Sequence, residues 1–361
     1  MTEMLLAIAS PVFTVGGEVV RGLALDCVRL VVSDGVEGLC TLEAHFVATG
    51  IGAAGPPGEL LHVDGSEVDF GTDLEVAVGP GGTQRTVFDG TVSGLEVVLG
   101  DSEPPRVIVL AEDRLMRLRM TRRMRSYPRT TDAEVARRIA QDHGLDADVN
   151  VDGPTYDVLQ QVNQSDLAFL RERARLMQAE LWCTGRTLHL SDRAKRQGTR
   201  LTLVHGNELL AVRLTADLAH QRTDVAVSGY DARTKDVIDE HAGAATIHAE
   251  AAAGRTGPEV LEKALGASAT FRVREAPLTT AEAAAWARAE MLRRARRFVT
   301  VTGQTRGSPD LQVGSKLRLE LVGSPFEGDG YYVTRVTHTY DMEHGLRTAF
   351  EAERPTLNGA T

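Results

Sequence analysis

One pattern of residues occurs twice, and it limits what this chain can fold into more than any other feature. Near the C-terminus Gly314 leads an alternating run through Leu317, Leu319 and Leu321, then come Phe326-Glu327-Gly328, a stretch from Tyr332 to Val336, and a run from Arg347 to Glu353. Near the N-terminus Gly71 leads Leu74, Val76 and Val78, followed by Phe88-Asp89-Gly90, Thr91 to Ser93, and a run from Arg106 to Glu112. The order is kept and the offset stays at about 240 residues, a regularity that marks internal duplication. Alternation alone is common to all half-buried strands, so any two antiparallel meanders look somewhat alike. An aromatic, an acid and a glycine at matching places are not required by alternation. The repeat therefore predicts two related β-domains.

A chain of 361 residues is long enough for two to three domains. Its hydrophobic share of 42% is that of a folded globular protein, and its formal charge of -10 argues against a general binder of nucleic acid or anionic membrane. Cys27, Cys40 and Cys183 are odd in number and form no C-x-x-C pair, which suggests small core residues rather than disulfides or a zinc cluster. The apolar opening Met4 to Ala9 is too short to span a bilayer, and no other stretch approaches that length. These features predict a soluble protein made in the cytoplasm.

The predicted fold class is α+β, mainly β: two related tube-like β-barrels, an α+β module between them, and a helical insertion in the second barrel. The first barrel is assigned to 1–112, where Leu23 to Val32 and Leu39 to Val47 alternate around the turn at Ser33-Asp34-Gly35. The stretch Gly50 to Gly58 reads as an exposed Gly/Pro-rich loop, and Gly79 to Gly82 as a hairpin turn and not a phosphate loop. The module is assigned to 113–198. There Thr131 and Glu134 form a capping box, Val135, Ala136, Ile139 and Ala140 a helical stripe, and Gly144-Leu145 a Schellman stop. A second helix begins near Ser165 with Leu167, Leu170, Ala174, Met177 and Leu181, followed by a hairpin turning at Thr184-Gly185; Ser191 to Gly198 reads as a connection. The second barrel is assigned to 199–230 and 298–355. The segment 231–297 is expected to hold a weakly patterned, mobile insertion up to Gly266 and then a helix. That helix is capped by Thr279 and Glu282, with Ala284, Ala287, Met291, Ala295 and Phe298 on one face.

Catalytic patterns are weak. Gly90 to Gly94 is not a nucleophile elbow, and His143, His189 and His205 are isolated. The best metal candidate is His338, Asp341 and His344, which also read as the turn of a β-hairpin. An alternative function is therefore a cell-wall-degrading or metal-dependent enzyme on a β-barrel scaffold. The densest charge run holds Arg114, Arg117, Arg119, Arg122, Arg123, Arg125 and Arg129 among Leu115, Met116, Leu118, Met120 and Met124. Arginine suits phosphate, but stacking aromatics are missing before Tyr127, so an intersubunit or interdomain contact fits better than nucleic acid. Leu74, Val76, Leu317, Leu319, Arg293 and Arg297 complete the candidate interface residues. No cofactor, metal or catalytic residue is assigned.

With these pieces placed, the chain resembles the phage late control D family of tail and baseplate hub proteins, which is related to the N-terminal part of type VI spike proteins. The resemblance is carried in order by Phe88 to Leu95, Thr131 to Leu145, Gln164 to Leu170, Arg222 to Asp231, Gly314 to Leu319, Phe326 to Val333 and Val336 to His338. It implies a non-enzymatic hub of a contractile injection system or phage tail. Such a hub is a homotrimer whose two barrels per subunit make a pseudo-sixfold ring, adapting a sixfold tail tube to a threefold spike. Its partners would be itself, a tail-tube protein, a separate spike protein and other baseplate proteins, with no nucleic acid and no membrane insertion. The chain ends soon after Glu353, so the spike is expected on another polypeptide.

Overall fold

The structure is a computed structural model that describes residues 11–49, 60–79, 84–251, 253–266 and 269–359. The expectations for Met4 to Ala9, the loop from Gly50 to Gly58 and the turn at 80–82 lie outside the described residues.

The first unit contains β1 (Val12–Val15), β2 (Glu18–Val19), α1 (Arg21–Asp26), β3 (Cys27–Gly35), β4 (Thr41–Val47), β5 (Asp73–Val78), β6 (Arg85–Val98) and β7 (Arg106–Glu112). The sheet runs β3-β4-β7-β6-β5-β1-β2. Four ladder steps separate β4 from β1, which in a flat sheet is about 19 Å. The rings of Phe13 on β1 and Phe46 on β4 nevertheless meet edge to face at 5.3 Å. The sheet is therefore rolled into a barrel around one core, and every strand from β1 to β7 except β2 sends side chains into it, among them Leu30, Leu42, Leu74, Val76, Phe88 and Val109. Each such side chain contributes about 1.5–3 kcal/mol when fully buried.

The module follows with the 3-10 turn η1 (Arg114–Arg119), β8 (Arg122–Thr130), α2 (Asp132–Asp142), β9 (Asp146–Asn150), β10 (Tyr156–Ser165), α3 (Asp166–Met177), β11 (Ala179–Thr184) and β12 (Thr187–Asp192). The capping box predicted for α2 is present: the Thr131 hydroxyl accepts from the Glu134 amide at 3.2 Å, and the Glu134 carboxylate accepts from the Thr131 amide at 2.8 Å. Gly144 stops the helix in the left-handed region, and the Leu145 amide reaches back to the Ala140 carbonyl at 2.9 Å, closing a Schellman motif. Leu181 belongs to β11 and not to α3, yet it packs in the same core as Leu167, Leu170 and Ala174.

The chain then forms β13 (Arg200–Val204) and β14 (Leu209–Ala216), leaves for an inserted unit, and returns. The insertion holds β15 (Asp224–Asp231), β16 (Asp236–Gly243), α4 (Ala245–His248), β17 (Arg255–Thr256), α5 (Gly257–Leu265), β18 (Thr270–Arg272) and α6 (Thr280–Arg296). The return is β19 (Val299–Arg306), β20 (Lys316–Glu320), β21 (Gly328–Asp341), β22 (Gly345–Arg354) and the short β23 (Thr356–Leu357). The second barrel runs β13-β20-β21-β22-β19-β14. Its two ends meet at the corner 204–209, where the Gly206 amide donates to the Leu209 carbonyl at 3.1 Å. Leu203 and Leu209 share its core with Leu317, Leu319, Tyr331 and Phe350.

Three expectations need correction. Residues 224–231 do not belong to the second barrel: β15 pairs with β16 and β18 alone, and Val225 and Val227 pack on Trp286, Ala287 and Met291 of α6. Alternation shows that a strand is half-buried but not which sheet it joins. Residues 231–266 carry defined elements in place of a weakly patterned insertion. Asp231 organises the β15–β16 turn by accepting from the amides of Arg233 and Thr234, and the Glu259 carboxylate accepts from the Thr256 amide at 2.9 Å at the start of α5. On α6 the buried face is Ala283, Trp286, Ala287, Met291 and Ala295, while Ala284 is exposed.

The duplication is visible in the ladders. In the first barrel Thr91 faces Glu112 and Val98 faces Arg106 across β6–β7; in the second Tyr332 faces Glu353 and Thr339 faces Arg347 across β21–β22. A β-bulge falls between Val92 and Gly94 in one copy and between Val333 and Arg335 in the other, at equivalent positions. Likewise β3–β4 is bulged between Cys27 and Arg29 where β14–β19 is bulged between Leu209 and Ala211. The Phe-acid-Gly landmark, in contrast, is not equivalent: Gly90 lies opposite Leu74, whereas Tyr331 lies opposite Leu317 and Gly328 opposite Leu319. Phe88 sits within β6, and Phe326 precedes β21 in a turn. The strands are repeated, but that motif is coincidental.

Candidate assembly surfaces

The two barrels are joined edge to edge. From Arg335 to Asp341, β21 pairs antiparallel with β3 from Gly35 to Arg29, so one thirteen-stranded sheet runs through both. At this seam His338 and Tyr340 lie opposite Val32 and Leu30, all four buried, and on the other face the Ser33 and Thr337 hydroxyls are 3.2 Å apart.

A second junction is ionic. Glu180, 4% exposed, accepts from Arg196 at 3.0 Å, from Arg193 at 3.3 Å and from the Tyr332 hydroxyl at 2.6 Å. Arg193 also pairs with Glu353 at 2.6 Å and lies over the Tyr332 ring, while Arg196 lies over the indole of Trp182. Burial, together with the neighbouring Glu180 carboxylate, pushes the Tyr332 phenol well above its ordinary range. The network thus ties the module to the second barrel through the 193–196 segment, which the sequence reading took for a plain connection. It borders a cleft of about 910 Å³ where all four units meet, with Asp34, Glu180, Arg193, Arg296 and Glu353 on its wall. Burial raises Asp34 above the usual carboxylate range against the pull of Arg196.

The arginine run does not form an open patch. Arg114 bridges the first barrel to the module, donating to Asp89 at 2.7 Å and to the Gly185 carbonyl at 3.2 Å, with Asp73 at 3.3 Å. Arg119 pairs with Glu112, and Arg125 with Asp142. Arg122 donates to the Asn163 carbonyl at 3.0 Å. Arg123 donates at 2.9 Å to Asp166, which also accepts from His143 and Gln161 at 2.8 Å. Burial alone would raise the Asp166 carboxyl, but these three donors outweigh it and hold it below its ordinary range. Arg117 and Arg129 are exposed and form no ion pair among the described residues.

Four of the interface candidates are core residues instead. Leu74, Val76, Leu317 and Leu319 are at most 2% exposed and fill the two barrels, because in each strand the apolar half of the alternation points inward. The outward neighbours on β5, Asp73 and Glu75, are the residues another chain could touch. Arg293 pairs with Glu290 at 2.7 Å on α6, and Arg297 is exposed at the end of that helix; both line the central cleft.

The metal candidate is pulled apart by the fold. His338 is buried in β21 and hydrogen-bonded to the Thr348 hydroxyl at 3.0 Å, whereas His344 and Asp341 sit at the exposed turn, where Asp341 accepts from the amides of Glu343 and His344. Burial lowers the His338 imidazole to about 4. Among the described residues no group of three or more His, Cys, Asp or Glu side chains is placed to hold a metal ion. No helix among them is long and apolar enough to cross a membrane.

The family model described as the Alg8 N-terminal domain matches residues 62–341, more than half of the chain. The chain belongs to the Alg8 N-terminal domain family. A comparison of the sequence with curated proteins finds no match. Solved structures similar to this Alg8 N-terminal domain protein include the 43 kDa tail protein of prophage MuSo2 from Shewanella oneidensis, with a TM-score of 0.68 and 14% identity over 96% of this chain and 98% of that one. A tail protein from Neisseria meningitidis MC58 gives a TM-score of 0.63 and 11% identity, covering 96% of each chain. The E. coli c3393 protein gives 0.57 and 13%, covering 93% of this chain and 76% of that one. That protein is described as a component of the type VI secretion system with structural similarity to the T4 tail proteins gp27 and gp5. The likeness is one of fold: this family member shares the mainly β, α+β fold of these phage tail proteins and of that type VI component.

Proposed function

We propose that the chain is a structural, non-enzymatic baseplate hub of a phage tail or contractile injection system. In this reading three copies form a ring, and the two barrels of each copy make it pseudo-sixfold. The ring would adapt a sixfold tail tube on one side to the threefold spike, a separate polypeptide, on the other. It would be assembled in the cytoplasm and held among other baseplate proteins. The observation that carries the reading is the duplicated set of strands, with equivalent ladder registers and two equivalent bulges, and with the two copies placed edge to edge in one sheet. A duplicated unit lets a threefold object present six similar surfaces, so one assembly can satisfy two symmetries. The fold shared with tail proteins supports the same reading.

The test is the mass of the purified chain by light scattering, alone and mixed with the proteins encoded beside it. A trimer, or a complex holding three copies, is the expected result. A chain that remains monomeric in every mixture would sink the proposal.

A further inference from the structure

Among the described residues, the seam that joins the two barrels within the chain leaves its two halves open elsewhere: one on β14, which ends the sheet, and one on the part of β6 that runs past its pairing with β5. Equivalence through the ladders aligns β6 with β21, so that Leu95, Val97 and Leu99 take the places of Val336, His338 and Tyr340. It aligns β14 with β3, so that Val212, Leu214 and Thr215 take the places of Leu30, Val32 and Ser33. Within the chain the β21 and β3 segments pair with each other. Among the described residues their counterparts lack that partner: β14 ends the sheet and pairs only with β19, while β6 beyond Gly94 pairs only with β7.

The side chains record the missing partner. His338 and Tyr340 are 5% and 2% exposed at the closed seam, but their counterparts Val97 and Leu99 are 43% and 70% exposed. Two open strand edges bearing apolar residues are a pairing surface that native proteins normally cover. The charges also match. Glu96 and Arg213 form no ion pair among the described residues, and in the transferred register Glu96 lies opposite Thr215, diagonally next to Arg213 on the same face.

We propose that the open segment of β6 in one copy pairs antiparallel with the outer edge of β14 in a second copy of this chain, in the register of the internal seam. Val97 then faces Leu214, Leu99 faces Val212, and Glu96 faces Thr215. The contact is head to tail, so each copy uses both edges, and the assembly closes into a ring if the rotation allows. This deepens the hub reading, which supplies the expectation of three copies; the pairing itself rests on the two open edges.

Paired cysteines test it. The Ser33 and Thr337 hydroxyls meet at 3.2 Å in the internal seam, so Glu96→Cys with Thr215→Cys places two thiols at the equivalent pair. Glu96→Cys with Ala211→Cys is the mismatched control, and each single variant gives the background of Cys27, Cys40 and Cys183. Under mild oxidation the matched pair should link chains at least roughly tenfold faster than the mismatched one, because a disulfide needs Cβ atoms within about 4.5 Å. The linked product should end at a closed ring of three. Equal rates for the two pairs overturn the seam. If light scattering still shows a trimer, the hub reading survives that failure; if matched links form but run on without stopping at three, the seam stands and the threefold hub falls. As a second measurement, Val97→Lys should lower the associated mass while the far-UV spectrum is unchanged, since Val97 is already exposed in the single chain. An unchanged mass would overturn the seam.

Discussion

Arg354 shows how much a single side chain can hold. The residue is 2% exposed and has no carboxylate partner among the described residues; its guanidinium donates to the carbonyls of Thr356 at 2.7 Å, Pro325 at 3.0 Å, Glu327 at 3.1 Å and Asp329 at 3.5 Å, and lies 4.5 Å from the centroid of the Tyr331 ring. Burial lowers its pKa, but these carbonyls give its protons partners and tie the loop before β21 to the end of β22. Arg354→Met should cost about 3 kcal/mol, because it leaves buried carbonyls unpaired. Arg354→Lys should recover little of that, since one ammonium cannot span the same fork. Urea midpoints would show it, and a loss under 1 kcal/mol would contradict the assignment. In the sequence Arg354 is only an arginine before a proline. Residue roles of this kind are set by atoms brought from distant segments, which is also why Leu74 and Leu317 read as contacts and proved to be core.

Strand β21 belongs to both barrels, and His338 is at the middle of the segment that pairs with β3. The folded imidazole titrates at about 4, against about 6.5 in an unfolded chain. Between those values the unfolded chain binds a proton that the folded chain excludes, so stability falls as the pH drops from about 6.5 to 4. With about 1.4 kcal/mol per pH unit, this one group accounts for about 3 kcal/mol of acid sensitivity. His338→Gln, which can still bond to Thr348, should flatten that part of the stability profile measured by denaturant unfolding. A profile parallel to the parent would refute it. At this scale the sequence was informative wherever a signal is local. The capping boxes at Thr131 and Thr279 are present as read, because capping depends on residues three apart. The half of such a box at Thr256, where Glu259 accepts from the Thr256 amide, lies inside an Ala-rich stretch with little pattern, and β15 reads as part of the second barrel because alternation does not name a partner.

The units of the molecule are coupled through Glu180. Replacing it with Gln leaves Arg196 without its carboxylate and Arg193 with only Glu353, at the contact between module and second barrel. Breaking a buried ion network from one side costs about 3–5 kcal/mol. Calorimetry of Glu180→Gln should show the module melting ahead of the barrels, and a single unshifted transition would contradict this coupling. Two arginines in a polar stretch gave no hint of burial in the sequence. By itself the sequence determined the mainly β, α+β class, because strand period and turn chemistry are written in neighbouring residues; of the duplication it showed the repeated order of strands, not the residue equivalence. Tertiary structure decided the rest: that the repeats correspond through their ladder registers and two bulges and not through Phe-acid-Gly, that β15 belongs to the insertion, and that the barrels share a seam while two equivalent edges stay open among the described residues. Strand pairing joins residues hundreds of positions apart through backbone groups that every residue carries, so its register is fixed only when the whole chain has folded.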